Sequence, residues 1–176
     1  MKKVFIVAAK RTPVGKFSGS LSSFSAAQLG AGVIKKIIEE TGIDPQHIDE
    51  VIAGNVLSAG QKQGIARQCA ILGGVPEEKT AYSINMVCGS GMKAVMNAYS
   101  DIVTDFASVV IAGGTESMTN AGFVLPSEIR GGFKMGNLQA ADHMVTDGLT
   151  DAFNNYHMGI TAENIAEQFG ISREEQ

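Results

Sequence analysis

The chain has 176 residues, enough for one compact domain and the start of a second; 44% hydrophobic and 18% charged residues suit a buried core and exclude a disordered chain. A formal net charge of −4 supplies no basic face, which excludes nucleic acid and an anionic membrane as expected partners. No apolar run is long enough to span a bilayer, and Cys69 and Cys88 sit in unlike contexts that form no disulfide framework, so a reducing, cytoplasmic location is expected.

In chain order, Met1-Lys2-Lys3 precedes an apolar run that stops at Lys10-Arg11 with no small-residue cleavage site, so Lys3–Ala9 is read as a buried strand, not a signal peptide. A Gly- and Ser-rich loop follows. Ser25 and Gln28 then form a capping box that opens a helix, with Leu29, Val33 and Ile37 on its buried face and Gly42 at its end. Val51–Ala53 is the next strand, Gly64–Leu72 a helix, Ala81–Val87 a third strand, and a long helical pattern starts at Cys88. Ser108–Ala112 is a fourth strand. This alternation predicts an α/β fold, a mostly parallel sheet with covering helices joined by right-handed crossovers.

From Thr115 to Tyr156 the chain is loop-rich, without sustained periodicity. Thr161–Phe169 reads as a helix capped by Thr161 and stopped by Gly170. Ser172 and Glu175 then announce another helix, and the sequence given stops at Gln176; a longer polypeptide is the expectation.

The segment Asn85-Met86-Val87-Cys88-Gly89-Ser90-Gly91 concentrates the chemistry. A strand ends, a cysteine occupies the turn, and a helix begins, so helix-terminal N–H groups and the positive end of the dipole should favour a thiolate. Gly89 and Gly91 would leave room for an incoming acyl group. The pattern parallels the nucleophile elbow of serine hydrolases with sulfur for oxygen. By itself it leaves two roles open for Cys88, a nucleophile or a small buried packing residue. A phosphate-binding loop fits worse, because the glycine–lysine spacing is missing.

This segment resembles the acyl-enzyme signature of the thiolases, and it does not stand alone. Arg11-Thr12-Pro13-Val14-Gly15-Lys16-Phe17, Ala66-Arg67-Gln68, Gly113-Gly114-Thr115-Glu116-Ser117-Met118, Asp147-Gly148-Leu149-Thr150-Asp151-Ala152-Phe153 and Tyr156-His157-Met158-Gly159-Ile160-Thr161-Ala162-Glu163-Asn164 resemble further family segments, in order along the whole chain. The resemblance is greatest to biosynthetic-type acetyl-CoA acetyltransferases, and the Tyr156-His157-Met158-Gly159 segment points away from ketoacyl synthases. It implies that Cys88 takes an acetyl group from acetyl-CoA, that a second acetyl-CoA condenses with it to give acetoacetyl-CoA, and that the reverse is thiolysis. Leu149, His157 and Met158 would lie against the pantetheine arm of CoA. CoA and its esters would be substrates, with no further cofactor and no metal, and the complete protein would be a homodimer or homotetramer.

The resemblance also implies a thiolase N-terminal α/β domain over 1–118, the start of an incomplete CoA-binding loop domain over 119–176, and no C-terminal catalytic domain. The family's Gly-His-Pro, second-cysteine and Asn-Glu-Ala motifs are missing from this sequence. Cys69 is assigned to packing, His47 and His143 to the solvated surface, and Glu116 to a structural role. Met86, Met92 and Met96 are expected in the core, and Lys93, one turn from Cys88, in solvent. Little or no turnover is expected of this chain alone. The competing reading is a non-catalytic fragment that binds acyl-CoA or pairs with a related subunit.

Overall fold

Helix α1 (Ala26–Thr41) begins where the Ser25–Gln28 pair places it in the computed structural model, which describes residues 2–176. Ser25 Oγ accepts from Gln28 N–H and Gln28 Oε1 accepts from Ser25 N–H, an exchange that stabilises the first turn by about 1 kcal/mol. Gly42 ends the helix in the left-handed region at φ 64°, where a side chain would be strained. The deepest line on α1 runs through Ala27, Ala31 and Ile34, while Leu29, Val33 and Ile37 are half-buried beside it.

Three parallel strands, β1 (Glu50–Gly54), β2 (Thr80–Ile84) and β3 (Val110–Gly114), form a sheet in the order β2-β1-β3. Helices α2 (Ile65–Leu72) and α3 (Ser90–Val103) connect them. Strand β1 is central and buried throughout, as both-face coverage requires. Its neighbours alternate with period two. Val51, Ala81, Val109 and Ile111 face the cluster built on α1 and α2, whereas Ile52, Tyr82, Val110 and Ala112 face Ala94 and Ala98 of α3. The first unit, which runs through Ala121, is therefore a three-layer sandwich of α1 and α2, sheet, and α3.

Two expectations are corrected here. Lys3–Ala9 is not a strand: among the described residues it pairs with none, and Phe5, Ile6 and Val7 are exposed. Apolar composition provides material for burial, but a strand needs a neighbour's N–H and C=O groups. Lys2–Asp105 and Lys10–Glu40 ion pairs flank the segment. The methionines are also not core. Met86, Met92 and Met96 are 51%, 71% and 52% exposed, because Ala94, Ala98 and the buried Ser90 are what α3 turns to the sheet. These small residues allow close packing.

The second unit, Gly122–Gln176, holds a 3-10 turn at Ser127–Gly131, the two-residue antiparallel strands β4 (Phe123–Val124) and β5 (Ala141–Asp142), a π-helical turn at Met144–Leu149, and helix α4 (Met158–Phe169). Helix α4 starts three residues before the expected range. Its cap is His157, whose Nδ1 accepts from Gly159 N–H at 2.9 Å, and not Thr161. Gly170 ends it as expected, at φ 64°. Ser172 and Glu175 exchange their capping bonds although only a turn follows.

Candidate active site

The carboxyl ends of β1, β2 and β3 bring three loops to one edge of the sheet, the edge where open α/β sheets carry their ligand chemistry. Beyond β2, Asn85 Oδ1 accepts from Val87 N–H at 2.9 Å and bends the chain. Val87 has φ 47°, a left-handed conformation costly for a β-branched residue. The turn is held by Ser90, whose hydroxyl accepts from Met86 N–H at 2.8 Å and donates to Val87 C=O at 2.6 Å. Ser90 is itself buried. Local strain offset by a buried hydroxyl thus leaves Cys88 exposed directly ahead of α3.

A Cβ on Gly91 would make ordinary contact with the backbone of Gly113 and Gly114 at 3.6–3.8 Å, and one on Gly89 would sit 2.6 Å from Met86 Cε, the far end of a flexible side chain. Gly54 is the tightest: its Cβ would lie 2.5 Å from the Ser90 carbonyl carbon and 2.6 Å from Gly91 N. Gly54 and Gly114 let the start of α3 lie directly on the ends of β1 and β3. The amides of Gly89 and Ser90 are bonded to Met86 and Val87 carbonyls, so these two do not serve the sulfur; the dipole of α3 still points there.

Glu116, beyond β3, ties the edge together. Its carboxylate accepts from Asn55 Nδ2 at 2.9 Å and from Val56 N–H at 2.8 Å, while Asn55 Nδ2 also donates to Thr115 C=O. This is the structural role assigned to it. Lys93 is half-buried, contrary to its assignment to solvent. Beside Glu116 lies an open hollow of about 400 Å³ lined by Arg11, Pro13, Phe17, Leu21 and Leu29, which does not include Cys88.

The two cysteines contrast. Cys69 is 1% exposed in the α1–α2 layer, and burial pushes its thiol up to about 11. Gly30 has no Cβ, which leaves the space for the Cys69 sulfur; a Cβ there would stand 2.5 Å from it. Packing is its role, as expected.

Histidine places differ from expectation at one position. His47 is exposed in a 3-10 turn ahead of β1, at the amino edge of the sheet, so a five-residue strand at about 3.3 Å per residue, roughly 16 Å, separates its level from that of Cys88. His143, expected at the surface, is buried at 6% and its Nδ1 bonds Asp147 Oδ2 at 2.7 Å. The turn at Met144–Leu149 carries Asp147, itself exposed, back to this bond.

Leu149, His157 and Met158 come together within the second unit. Thr150 and His157 form an antiparallel bridge, and Asp151 N–H donates to Tyr156 C=O at 2.9 Å, which sets Leu149 beside the start of α4. Leu149 is half-buried, whereas His157 and Met158 are exposed. Sequence reasoning passed over Ser90, Asn85 and Asp147. The signal for Asp147 was present, a carboxylate four residues after a histidine. A second open hollow, about 620 Å³, is lined by Val124, Leu125, Ile129, Phe133 and Leu138 and does not include these three residues. Among the described residues, no cluster of three or more His, Cys, Asp or Glu side chains is placed to hold a metal ion, and no helix is long and apolar enough to cross a membrane.

Comparison with known proteins accords with this arrangement. The family described as thiolase, N-terminal domain, matches residues 4–176. A probable acetyl-CoA acyltransferase of Staphylococcus aureus strain COL is 54% identical over all 176 residues, and one of strain bovine RF122 / ET3-1 is 53% identical over the same span; the chain covers 44% of each. The crystal structure of a thiolase from Ascaris suum in complex with coenzyme A superposes with a TM-score of 0.85 at 37% identity, over 93% of this chain and 42% of that one. The chain thus spans less than half the length of these relatives. By sequence and by fold, it belongs to the thiolase family.

Proposed function

We propose that this chain supplies the acyl-accepting half of a thiolase, with Cys88 as the nucleophile. Cys88 sulfur attacks the carbonyl carbon of acetyl-CoA, the bond from that carbon to the CoA sulfur breaks, and CoA leaves as its thiol with the proton taken from Cys88. A second acetyl-CoA loses an α-proton, and its carbon attacks the acetyl-Cys88 carbonyl, giving acetoacetyl-CoA and free Cys88. Thiolysis is the reverse. The observation that carries this reading is an exposed Cys88 on a strained strand-to-helix turn, at the carboxyl edge of a parallel sheet. The kinship with probable acetyl-CoA acyltransferases favours acetyl-CoA as acyl donor, and the coenzyme A in the Ascaris suum structure favours Leu149, His157 and Met158 as CoA contacts.

Residues 1–118 serve as the nucleophile-bearing domain and 119–176 begin the CoA-binding loop domain. The base that activates Cys88 and the group that takes the α-proton come from outside the first unit, whose one histidine, His47, lies at the other end of the sheet. The outer face of α3 supports this division. Met92, Val95, Met96 and Tyr99 recur at helical spacing and stand exposed, so a further layer covers them in the whole protein.

The test is intact-mass analysis after incubation with acetyl-CoA, on the chain and on a version extended to the length of its relatives. The extended protein should carry one acetyl group on Cys88, and Cys88→Ala should carry none and lose acetoacetyl-CoA thiolysis by on the order of 10⁴-fold or more. The chain alone should turn over little. Acetylation of Cys69, or unchanged thiolysis in Cys88→Ala, would overturn the assignment.

A further inference from the structure

We propose that His143 is a positioning residue for the CoA-binding end of the second unit, acting through Asp147 on the turn that presents Leu149; the CoA part of this rests on the function proposed above. Among the described residues of that unit, His143 is the one that is buried, at 6% exposed. The ring is held at the one buried point of a loop-built unit, and it reaches out to Asp147, whose carboxylate is 56% exposed, so the ring's fixed place is what restrains the carboxylate. Its Nδ1–H donates to Asp147 Oδ2 at 2.7 Å, and its backbone N–H donates to Gly122 C=O at 3.1 Å.

The bond spans a π-helical turn, a widened form that needs outside support and recurs at functional sites. Support comes from both ends. Asp142 Oδ1 accepts from Met144 N–H at 2.9 Å, and Thr150 Oγ1 donates to Val145 C=O at 2.8 Å. Between them, the His143–Asp147 bond fixes the middle of the turn. Leu149 is its last residue, and the next, Thr150, is bridged to His157. One polar anchor therefore sets where Leu149 stands relative to His157 and Met158. Without it the turn is free to rewind toward ordinary helical geometry, which would rotate Leu149 away from that pair.

The test is isothermal titration of coenzyme A into the protein, with hydrogen exchange read at the Leu149 and Thr150 amides. His143→Leu should weaken CoA binding by about 10-fold and speed exchange at both amides. His143→Asn keeps a donor close to the Nδ1 position and should restore binding to within about 3-fold of the original. Equal binding in His143→Leu and the original protein overturns the proposal. Equal loss in His143→Leu and His143→Asn also overturns it, because ring packing would then be the cause. If the original protein binds no CoA, the CoA reading fails; unchanged exchange in His143→Leu would then sink the anchoring role as well, whereas faster exchange would retain it for the turn alone.

Discussion

The two faces of the three-stranded sheet are finished differently. On one side α1 presents Lys35, Lys36, Glu39 and Glu40 outward, and Lys36 pairs with both glutamates, so that layer ends against water. On the other side α3 ends in an exposed apolar row, Met92, Val95, Met96 and Tyr99, with Cys88 just ahead of its first turn. The buried Cys69 belongs to the finished side and the exposed Cys88 to the unfinished one. The same side-chain chemistry is thus inert or available according to which face of the sheet it serves.

The largest break in this comparison should come from truncating matched side chains on the two faces. Ile34→Ala removes three carbons from a position 5% exposed between α1 and α2, where Gly73 approaches it closely. Urea unfolding should show a loss of about 2–5 kcal/mol. Met96→Ala on the outer face of α3 should cost within about 0.5 kcal/mol in this chain. Comparable losses for the two would mean that α3 is already covered, and the division between the faces would collapse.

A smaller effect is expected where α3 meets the strand ends. Gly54→Ala places a methyl 2.5 Å from the Ser90 backbone, which cannot yield by a rotamer change, and should cost about 1–3 kcal/mol. It should also disturb the Cys88 turn and slow the acetylation proposed for it. Gly32→Ala on the exposed side of α1 meets nothing within 4 Å and should stabilise by about 0.5–1 kcal/mol. If Gly54→Ala behaves like Gly32→Ala, the close seating of α3 has no energetic weight.

What could be read in advance followed the range of the interaction. The capping box at Ser25 and the αL stops at Gly42 and Gly170 are set by a few adjacent residues, and they stand where the sequence places them. Strand limits moved by one to three residues because pairing register, Glu50 opposite Thr80 and Val110, decides them. The strand at Lys3–Ala9 and the buried methionines failed for one reason: apolar character identifies surface that prefers cover, not the partner that provides it. His143 failed because its bond to Asp147 is made across a π-helical turn, a geometry with no periodic signature. His157 as a helix cap was hidden too, since an imidazole is not among the common caps.

The smallest effect contrasts two consecutive carboxylates at the amino edge of the sheet. Asp49 Oδ2 accepts from Ser108 N–H at 2.7 Å and from Val109 N–H at 3.1 Å, and these bonds lower its pKa. Glu50 points the other way, toward α3. It is 3% exposed, with one carboxyl oxygen lacking a partner, and burial foremost, then the charge of and hydrogen bond to Asp101, raises its pKa above the ordinary 4.5. The signs follow from proton binding. For Glu50 the folded state holds the proton more tightly, so its contribution is complete below about 4.5 and is lost as pH rises through the folded value. For Asp49 the contribution is present above its ordinary value of 3.8 and is lost as pH falls through the lowered one. Thermal unfolding of the chain between these limits and neutral pH should therefore decline more steeply with pH in the original protein than in Glu50→Gln, which keeps the bond to Asp101 without titrating. Parallel profiles would show that Glu50 keeps its ordinary value, and with it that the α3 face admits water at its amino end.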